Sequence, residues 1–184
     1  MRIEDFKDKI GGGARPALFR VGGRIGASGT DDRTQFLVTA ANLPLSTIGE
    51  ATPAFRGRTS KVPMSRTFED WTITVLSDKD MDLRSKFEQW LEDLNGAEDN
   101  LPDREITLNN ATDFPDWSVD QLDRSGEPVK SYTFKYCFPK SISEVALDAS
   151  SEELATFTVT LGYSYFISSD VNVGYGEPGN RTSR

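Results

Sequence analysis

Residues 153–166, ELATFTVTLGYSYF, decide the fold. Large apolar side chains occupy the odd positions from 157 onward, and they are Phe157, Val159, Leu161, Tyr163 and Tyr165. Threonine, glycine and serine occupy the even positions from 156 to 164. This alternation is typical of a strand with one buried face. The stretch therefore predicts a long strand whose second face carries hydroxyl groups, which are neither apolar nor charged.

A second segment, TFEDWTITVL at 67–76, repeats the pattern. Its apolar positions are Trp71, Ile73 and Val75, and they alternate with Asp70, Thr72 and Thr74. Further strands are predicted at 14–21, 35–42, 117–124, 129–138 and around 142–147, with proline at the start of the first. At 184 residues the chain fits one domain built from many antiparallel strands.

One amphipathic helix is predicted over 81–95. An apolar stripe at helical spacing runs from Leu83 to Leu94. Asp80 is the predicted N-terminal cap, and Gly96 is the predicted left-handed C-terminal stop. The predicted fold is mainly β (α+β), an antiparallel β-sandwich or half-barrel with this helix packed on the sheet. The predicted core is Trp71, Ile73, Val75, Leu83, Phe87, Trp90, Leu91, Leu94, Phe157, Val159, Leu161 and Tyr163.

Composition excludes most familiar enzyme chemistry. The chain has no histidine, so it cannot carry a Ser-His-Asp or Cys-His site or a zinc site with histidine ligands. Its one cysteine, Cys137, has no base beside it in the pattern and forms no internal disulfide. Four aspartates between 113 and 123 lack the spacing of a calcium loop. We expect no catalytic residue, metal or cofactor, no membrane-spanning segment, and no signal peptide.

Charge is unevenly distributed along the chain. Residues 1–66 hold 11 Lys and Arg against 6 Asp and Glu, whereas residues 67–184 hold 10 against 23. The segment 44–66 is basic and rich in glycine and proline, which predicts an extended hairpin or loop. Two interpretations stay open: a basic surface complementary to an acidic part of another copy, or ordinary solvated charge.

Six blocks, in order, resemble the tail tube proteins of contractile-tailed (myovirus-type) bacteriophages. They are ARPALFRV (14–21), AANLP (40–44), RTFEDWTITV (66–75), DLRSKFEQW (82–90), FPKSISEVALD (138–148) and EELATFTVTLGYSYF (152–166). Together they cover nearly the whole domain. Each block alone is a common strand or helix pattern, and the specificity lies in their order.

The resemblance implies a structural virion protein, not an enzyme. Six copies would close into a ring, each giving four strands to one inner barrel, and rings would stack into a tube inside a contractile sheath. The helix 81–95 would cover the outward face of that sheet. The implied lumen-lining residues are Asp70, Thr72, Thr74, Thr156, Thr158, Thr160 and Ser164. The implied inter-ring contacts are Arg56, Arg58, Lys61 and Arg66.

The same resemblance implies the partners and the place of action. The partners would be other copies of the chain, the sheath, the tape measure protein, and the tail terminator and baseplate, with genomic DNA as non-specific cargo. The protein would belong to the virion tail and be assembled in the host cytoplasm. The whole chain, 1–184, would be one tail-tube domain with an N-terminal arm (1–13), the basic segment 44–66 and a polar C-terminal tail (167–184).

Two alternatives stay open from the sequence. The same fold serves as the tube of other contractile particles, bacteriocin-like or of type VI secretion. A monomeric β-barrel that binds a small molecule is a different class of function, and it requires a closed apolar cavity rather than a flat hydroxyl-rich face.

Overall fold

The computed structural model describes residues 3–5, 13–102, 105–107, 110–148, 150 and 153–169. The strands are β1 (Phe19–Gly23), β2 (Val38–Ala41), β3 (Ser46–Ala51), β4 (Ala54–Phe55), β5 (Arg58–Thr59), β6 (Val62–Phe68), β7 (Trp71–Leu76), β8 (Trp117–Leu122), β9 (Pro128–Lys135), β10 (Phe138–Ile142), β11 (Thr156–Gly162) and β12 (Tyr165–Ser168). The helices are α1 (Thr34–Leu37) and α2 (Asp82–Leu94), with a 3₁₀ turn at Gly26–Ser28. Most of the predicted arm (1–13) and of the predicted tail (167–184) lies outside the described residues.

Two four-stranded antiparallel sheets pack face to face. Sheet I has the strand order β10-β11-β7-β2, and sheet II has the order β1-β8-β9-β12. Trp71 of sheet I stacks on Phe134 of sheet II with ring centroids 4.1 Å apart. Its indole N–H donates to the Asn42 carbonyl at 2.7 Å, so the polar atom of this buried ring is satisfied. The predicted fold class, an antiparallel sandwich with an amphipathic helix, is confirmed.

Helix α2 closes one side of the sandwich. Leu83, Phe87 and Trp90 are buried, and the Phe87 ring meets both Trp117 of sheet II and Phe157 of sheet I. The inner face of sheet I is therefore covered mainly by sheet II, and the helix covers only the rest of that face. Leu94 packs against the edge of the core, and Leu91 is only half-buried.

Both predicted ends of this helix were wrong in detail. The N-terminal cap residue is Met81, in a left-handed conformation with φ 54° and without a side-chain cap, so Asp80 does not cap the helix. At the other end the cap residue is Asn95, in an extended conformation. The Gly96 N–H donates to the Leu101 carbonyl at 2.8 Å, which directs the chain into a turn rather than a left-handed stop.

Two of the predicted long strands divide between the sheets. The stretch 153–166 gives β11 in sheet I and β12 in sheet II, with a turn at Tyr163 and Ser164. The stretch 129–138 gives β9 in sheet II and the start of β10 in sheet I, and Tyr136 between them has φ 58°. Alternation alone does not reveal such a switch, because both sheets bury their facing sides in the same core.

The segments around the first two predicted strands also differ from expectation. The first strand begins at Phe19 rather than residue 14, because Pro16 lies in a turn closed by the Leu18 N–H and the Arg15 carbonyl at 3.1 Å. Residues 34–37 form the helical turn α1, so the second strand begins at Val38 rather than Gln35.

An ion network fixes α1 to the rest of the molecule. Arg33 lies 2.8 Å from Asp31 and 2.9 Å from Asp78, and it also pairs with Asp82 of α2. Lys86 reaches Asp31 at 2.7 Å. Hydrogen bonds from Arg33 and then Lys86 hold the pKa of the Asp31 carboxyl well below its usual range, against the opposing effect of burial. The network ties together α1, the loop after β7 and α2.

The basic segment forms a long hairpin. Strand β3 pairs with β6, and β4 pairs with β5 nearer the tip. Arg56 and Gly57 form the turn, with φ 48° and 77°, the combination that a type I′ hairpin turn requires. The residues of β6 are exposed from Val62 to Thr67, so most of this strand has no contact with the core.

Candidate functional site

The outward face of sheet I is a surface of hydroxyl groups. The register places Thr72 opposite Thr160 and Thr74 opposite Thr158, so four of the predicted lumen residues form one compact patch. All four are half-buried. We call this surface the hydroxyl face.

The other three predicted lumen residues lie at its margins or outside it. Thr156 is exposed at the end of β11, opposite Leu76. Asp70 is exposed just before β7. Ser164 is in the turn between the sheets, where its N–H donates to the Lys135 carbonyl at 3.0 Å, so it is not part of the hydroxyl face.

Sequence reasoning missed the contribution of β10 to this face. Ser141 lies opposite Thr160, and the Ser143 hydroxyl accepts the Thr158 N–H at 2.9 Å just beyond the strand. Phe138 and Lys140 lie over Gly162, where a side chain would leave no room for them. The signal in the sequence was Gly162 itself, which interrupts a row of threonines.

Lys140 and Asp70 form an ion pair beside the hydroxyl face. The Lys140 ammonium lies 2.6 Å from an Asp70 carboxylate oxygen. Both side chains are about half exposed, so the pair adds little stability. Its consequence is electrostatic: the two formal charges cancel, and the four threonines add none.

Sheet I has two edges that other chains can reach. In the described part of the chain, no strand pairs with the outer side of β2 or of β10. All neighbours in the sheet are antiparallel, so β10 and β2, at its two ends, run in opposite directions. Pro139 lies in β10, which is consistent with the preference of proline for edge strands.

The hairpin presents the four predicted stacking residues on an exposed surface. The Arg56 guanidinium lies 5.2 Å from the centre of the Phe55 ring. Lys61 forms an ion pair with Glu50 at 3.0 Å, so its charge is already balanced within the hairpin. Arg66 lies opposite Ile48, and Arg58 lies opposite Phe55.

The hairpin also exposes apolar side chains that sequence reasoning did not single out. They are Leu45, Ile48, Phe55, Val62 and Met64. Ile48 and Ala51 are an odd number of residues apart in β3, so their side chains lie on opposite faces of the hairpin. Val62 lies opposite Ala51 and shares its face. Both faces of the hairpin therefore carry apolar groups. Contiguous exposed apolar patches are typical of interaction surfaces.

The aspartates that suggested chemistry have structural partners. Asp113 is buried and accepts a hydrogen bond from the Asn110 amide at 2.8 Å, and Asp120 pairs with Arg20 at 2.9 Å. Asp116 pairs with Lys135, and Asp123 accepts the N–H groups of its own turn. Within the described ranges, no three potential ligands cluster for a metal ion.

Cys137 is buried, and burial raises the pKa of its thiol to about 12. A thiol in that state is a poor nucleophile at neutral pH. None of the helices in the described part of the chain has the length and apolar character needed to cross a membrane.

Comparison with known proteins gives the class of protein that this fold and surface define. The model of the phage tail tube protein family matches residues 12–169. The tail tube protein gp19 of Enterobacteria phage T4 is 33% identical over 156 residues, which cover 83% of this chain and 90% of that protein. The tail tube protein of Serratia phage KSP90 is 27% identical over 133 residues, covering 72% and 73%.

Solved structures share the fold at lower sequence identity. A chain in the cryo-EM structure of the anti-feeding prophage baseplate has a TM-score of 0.64 and 16% identity, covering 84% of this chain and 94% of that one. A chain of the sheath-tube complex of an extracellular contractile injection system has a TM-score of 0.55 and 16% identity, covering 89% and 97%.

This chain belongs to the phage tail tube protein family. The family resemblance drawn from the sequence is confirmed, and the protein has the structural role of a tail tube protein.

Gly23→Ala should destabilise the fold by about 1–3 kcal/mol, because the added Cβ would clash with the ring of the buried Trp117. The measurement is urea unfolding of the unassembled protein followed by tryptophan fluorescence. Gly49→Ala is the matched control, since its Cβ meets nothing closer than 3.5 Å. Equal unfolding midpoints for the two variants would contradict the close packing of Gly23 against Trp117.

Proposed function

We propose that six copies of this chain close into a ring by pairing β2 of each copy with β10 of the next. The observation that carries this proposal is the pair of open edges of sheet I, which run in opposite directions. Antiparallel order therefore continues without interruption from one copy to the next. A ring pairs both edges of sheet I in every copy, whereas an isolated sheet with two open edges is prone to uncontrolled association.

In this ring the hydroxyl face lines the lumen. Twenty-four strands spaced about 4.8 Å apart and tilted by about 40° close a barrel roughly 48 Å across at the backbone. Roughly 5 Å of side chain on each wall leaves a channel about 38 Å wide, which admits a DNA duplex. The lining residues are Thr72, Thr74, Thr156, Thr158 and Thr160, with Asp70 and Lys140 as a neutral pair; Ser164 falls outside.

The lumen acts as a low-friction conduit for DNA during ejection. Duplex DNA binds proteins mainly through neutralisation of its phosphates, with release of counterions. A wall of threonine hydroxyls and one internally balanced ion pair offers no net positive charge to hold the duplex. DNA is cargo in this proposal, not a ligand that is recognised by sequence.

The hairpin stacks one ring on the next. Arg56, Arg58 and Arg66 supply positive charge toward acidic residues of the neighbouring ring, and the apolar residues of both hairpin faces supply buried area. Lys61 contributes less than expected from the sequence, because Glu50 already balances its charge. The contact between rings joins two different surfaces, and its repetition never returns to the first ring. Such contacts generate an open-ended stack, which is the geometry of a tube.

The further partners follow from a tube of this kind in a contractile tail. They are the sheath outside, the tape measure protein within the lumen during assembly, and the terminator and baseplate at the two ends. The protein acts in the virion tail after assembly in the host cytoplasm, and it has no catalytic role. Solved relatives from a sheath-tube complex, a tube terminator, a tube cap and a baseplate support these contacts at the level of fold.

The second candidate is a tube of a contractile injection particle other than a phage. The likeness of the fold to chains of two such systems favours it. The relatives with higher sequence identity are phage tail tube proteins, so the phage tail is the preferred assignment.

Purified protein incubated with baseplates from the matching phage should form hollow tubes of stacked six-fold rings, seen by negative-stain electron microscopy. The baseplate supplies the nucleus that isolated copies lack. Protein without baseplates is the control for spontaneous assembly. If the protein remained monomeric after baseplates were added, the proposed ring would be refuted.

Thr158→Lys should slow DNA ejection by about tenfold or more at low salt, because six added charges per ring would hold phosphates in the lumen. The slowing should shrink as salt rises. The measurement is the rate of DNA release from triggered virions, with Thr158→Ser as the matched control. An unchanged rate would show that this face does not meet the DNA.

Reversing the charge of Arg56 and Arg58 together, to Glu, should raise the protein concentration needed for tube growth by about tenfold or more, because opposed charges at the ring interface become like charges. Changing Arg15 and Arg124 together to Glu, two exposed residues outside the hairpin, gives the same change in net charge and is the control. Tube lengths by electron microscopy across a salt series give the readout. Unchanged growth with unchanged salt dependence would remove these residues from the stacking surface.

A further inference from the structure

Two unexplained apolar features lie at opposite edges of sheet I. Phe36, in α1 just before β2, is 82% exposed. After β10 the chain forms an open cleft of about 770 Å³ between residues 145–148 and 153–156, whose lining includes Asp148, Glu153 and Thr156 beside apolar residues, and we call it the Leu147 cleft. Leu147 and Leu154 on its walls are 89% and 72% exposed. Each feature lacks the apolar contact that its side chains would gain by burial.

We propose that Phe36 of one copy inserts into the Leu147 cleft of the next copy and acts as the side-chain anchor of the ring interface. The occupant of the cleft is therefore a second copy of this chain. This inference rests on the proposed ring, and it adds a specific apolar contact to the pairing of strand edges.

The register of sheet I brings the two features together. Val38, which follows α1, pairs with Val75, and Thr156 at the cleft pairs with Leu76. Ser143, where the chain leaves β10, donates its N–H to the Thr158 carbonyl at 2.8 Å. Phe36 and the cleft are thus at the same end of the sheet, on its two opposite edges. Antiparallel pairing of β2 with a neighbour's β10 then brings Phe36 of one copy beside the cleft of the other.

Phe36 is held in place before any partner arrives. Its N–H donates to the Arg33 carbonyl at 3.0 Å, and Thr34 in the same turn is buried. The Arg33 side chain is fixed by carboxylates of Asp31 and Asp78. These contacts order the backbone that carries the exposed ring, and a phenylalanine buries about 150–250 Å² when it is enclosed. The ion network around Arg33 therefore prepares the interface.

The contact joins two different surfaces of the chain, as a closed ring of six copies requires. Each copy carries one Phe36 at its β2 edge and one cleft at its β10 edge, so each copy uses both, once with each neighbour. A two-fold dimer would pair like edges, β2 with β2 or β10 with β10, and would not bring Phe36 to the cleft. The placement of the two features favours a cyclic assembly over a dimer.

The test is crosslinking of assembled rings with cysteines at the two positions. Phe36→Cys and Leu147→Cys combined in one chain should, with a short bis-maleimide, give a ladder of covalent species up to the hexamer on a denaturing gel. Each single variant alone should stay monomeric, and an equal mixture of the two should stop at dimers. The native Cys137 is buried, so the background reaction is low.

Phe36→Ala gives an independent readout. The concentration of protein needed for ring assembly should rise by about thirtyfold or more, the effect of losing an interface hot spot. Urea unfolding of the monomer should not change, because the side chain is exposed. Leu101→Ala, which truncates an exposed leucine away from both edges, should leave assembly unchanged.

The outcomes separate this inference from the ring itself. Rings by electron microscopy without a ladder, and with Phe36→Ala assembling normally, would overturn the Phe36 contact and leave the ring intact. Crosslinks within a single chain would show that Phe36 fills the cleft of its own copy, and this result would also overturn the proposed contact between copies. Absence of rings in the unmodified protein under seeding would overturn both proposals together.

Discussion

The open edges of sheet I are the constraint on which the rest of the structure depends. Each edge strand presents N–H and C=O groups that need partners, and in the described residues β2 and β10 have none on their outer sides. The chain enters sheet I from sheet II at Tyr136, to form the edge strand β10, and it returns to sheet II at Tyr163, after β11. The sandwich is thus complete as a hydrophobic core but incomplete as a hydrogen-bonded sheet.

The two faces of sheet I serve different purposes. Its inner face is fixed by aromatic packing, above all the stack of Trp71 on Phe134, which joins the two sheets. Its outer face has no packing function within one copy, so in the proposed ring its chemistry is free to suit the DNA that passes through the lumen. Threonine is well suited to this position, because its branched side chain favours strands and its hydroxyl carries no charge. One residue type thus supplies both sheet stability and a neutral wall.

Assembly in the proposed ring draws on three kinds of surface, each with its own physical basis. Strand edges supply directional hydrogen bonds, Phe36 and its cleft supply an apolar anchor, and the hairpin supplies charge together with apolar area. The ion network around Arg33 links the first two, because it holds α1 beside β2. The separation of these functions is consistent with rings that form and stack as distinct steps.

The sequence by itself determined the fold class, the core of β7 and β11, and the hydroxyl face, because alternation of apolar residues and threonines reports directly which side of a strand is buried. It also indicated the hairpin, through its breakers and basic residues. Only the tertiary structure decided that 153–166 and 129–138 each divide between two sheets, that Ser164 lies outside the hydroxyl face, and that Lys140 neutralises Asp70. The physical reason is that a local pattern records burial, whereas the choice of sheet, the pairing of charges and the position of an edge depend on contacts between residues far apart in the chain.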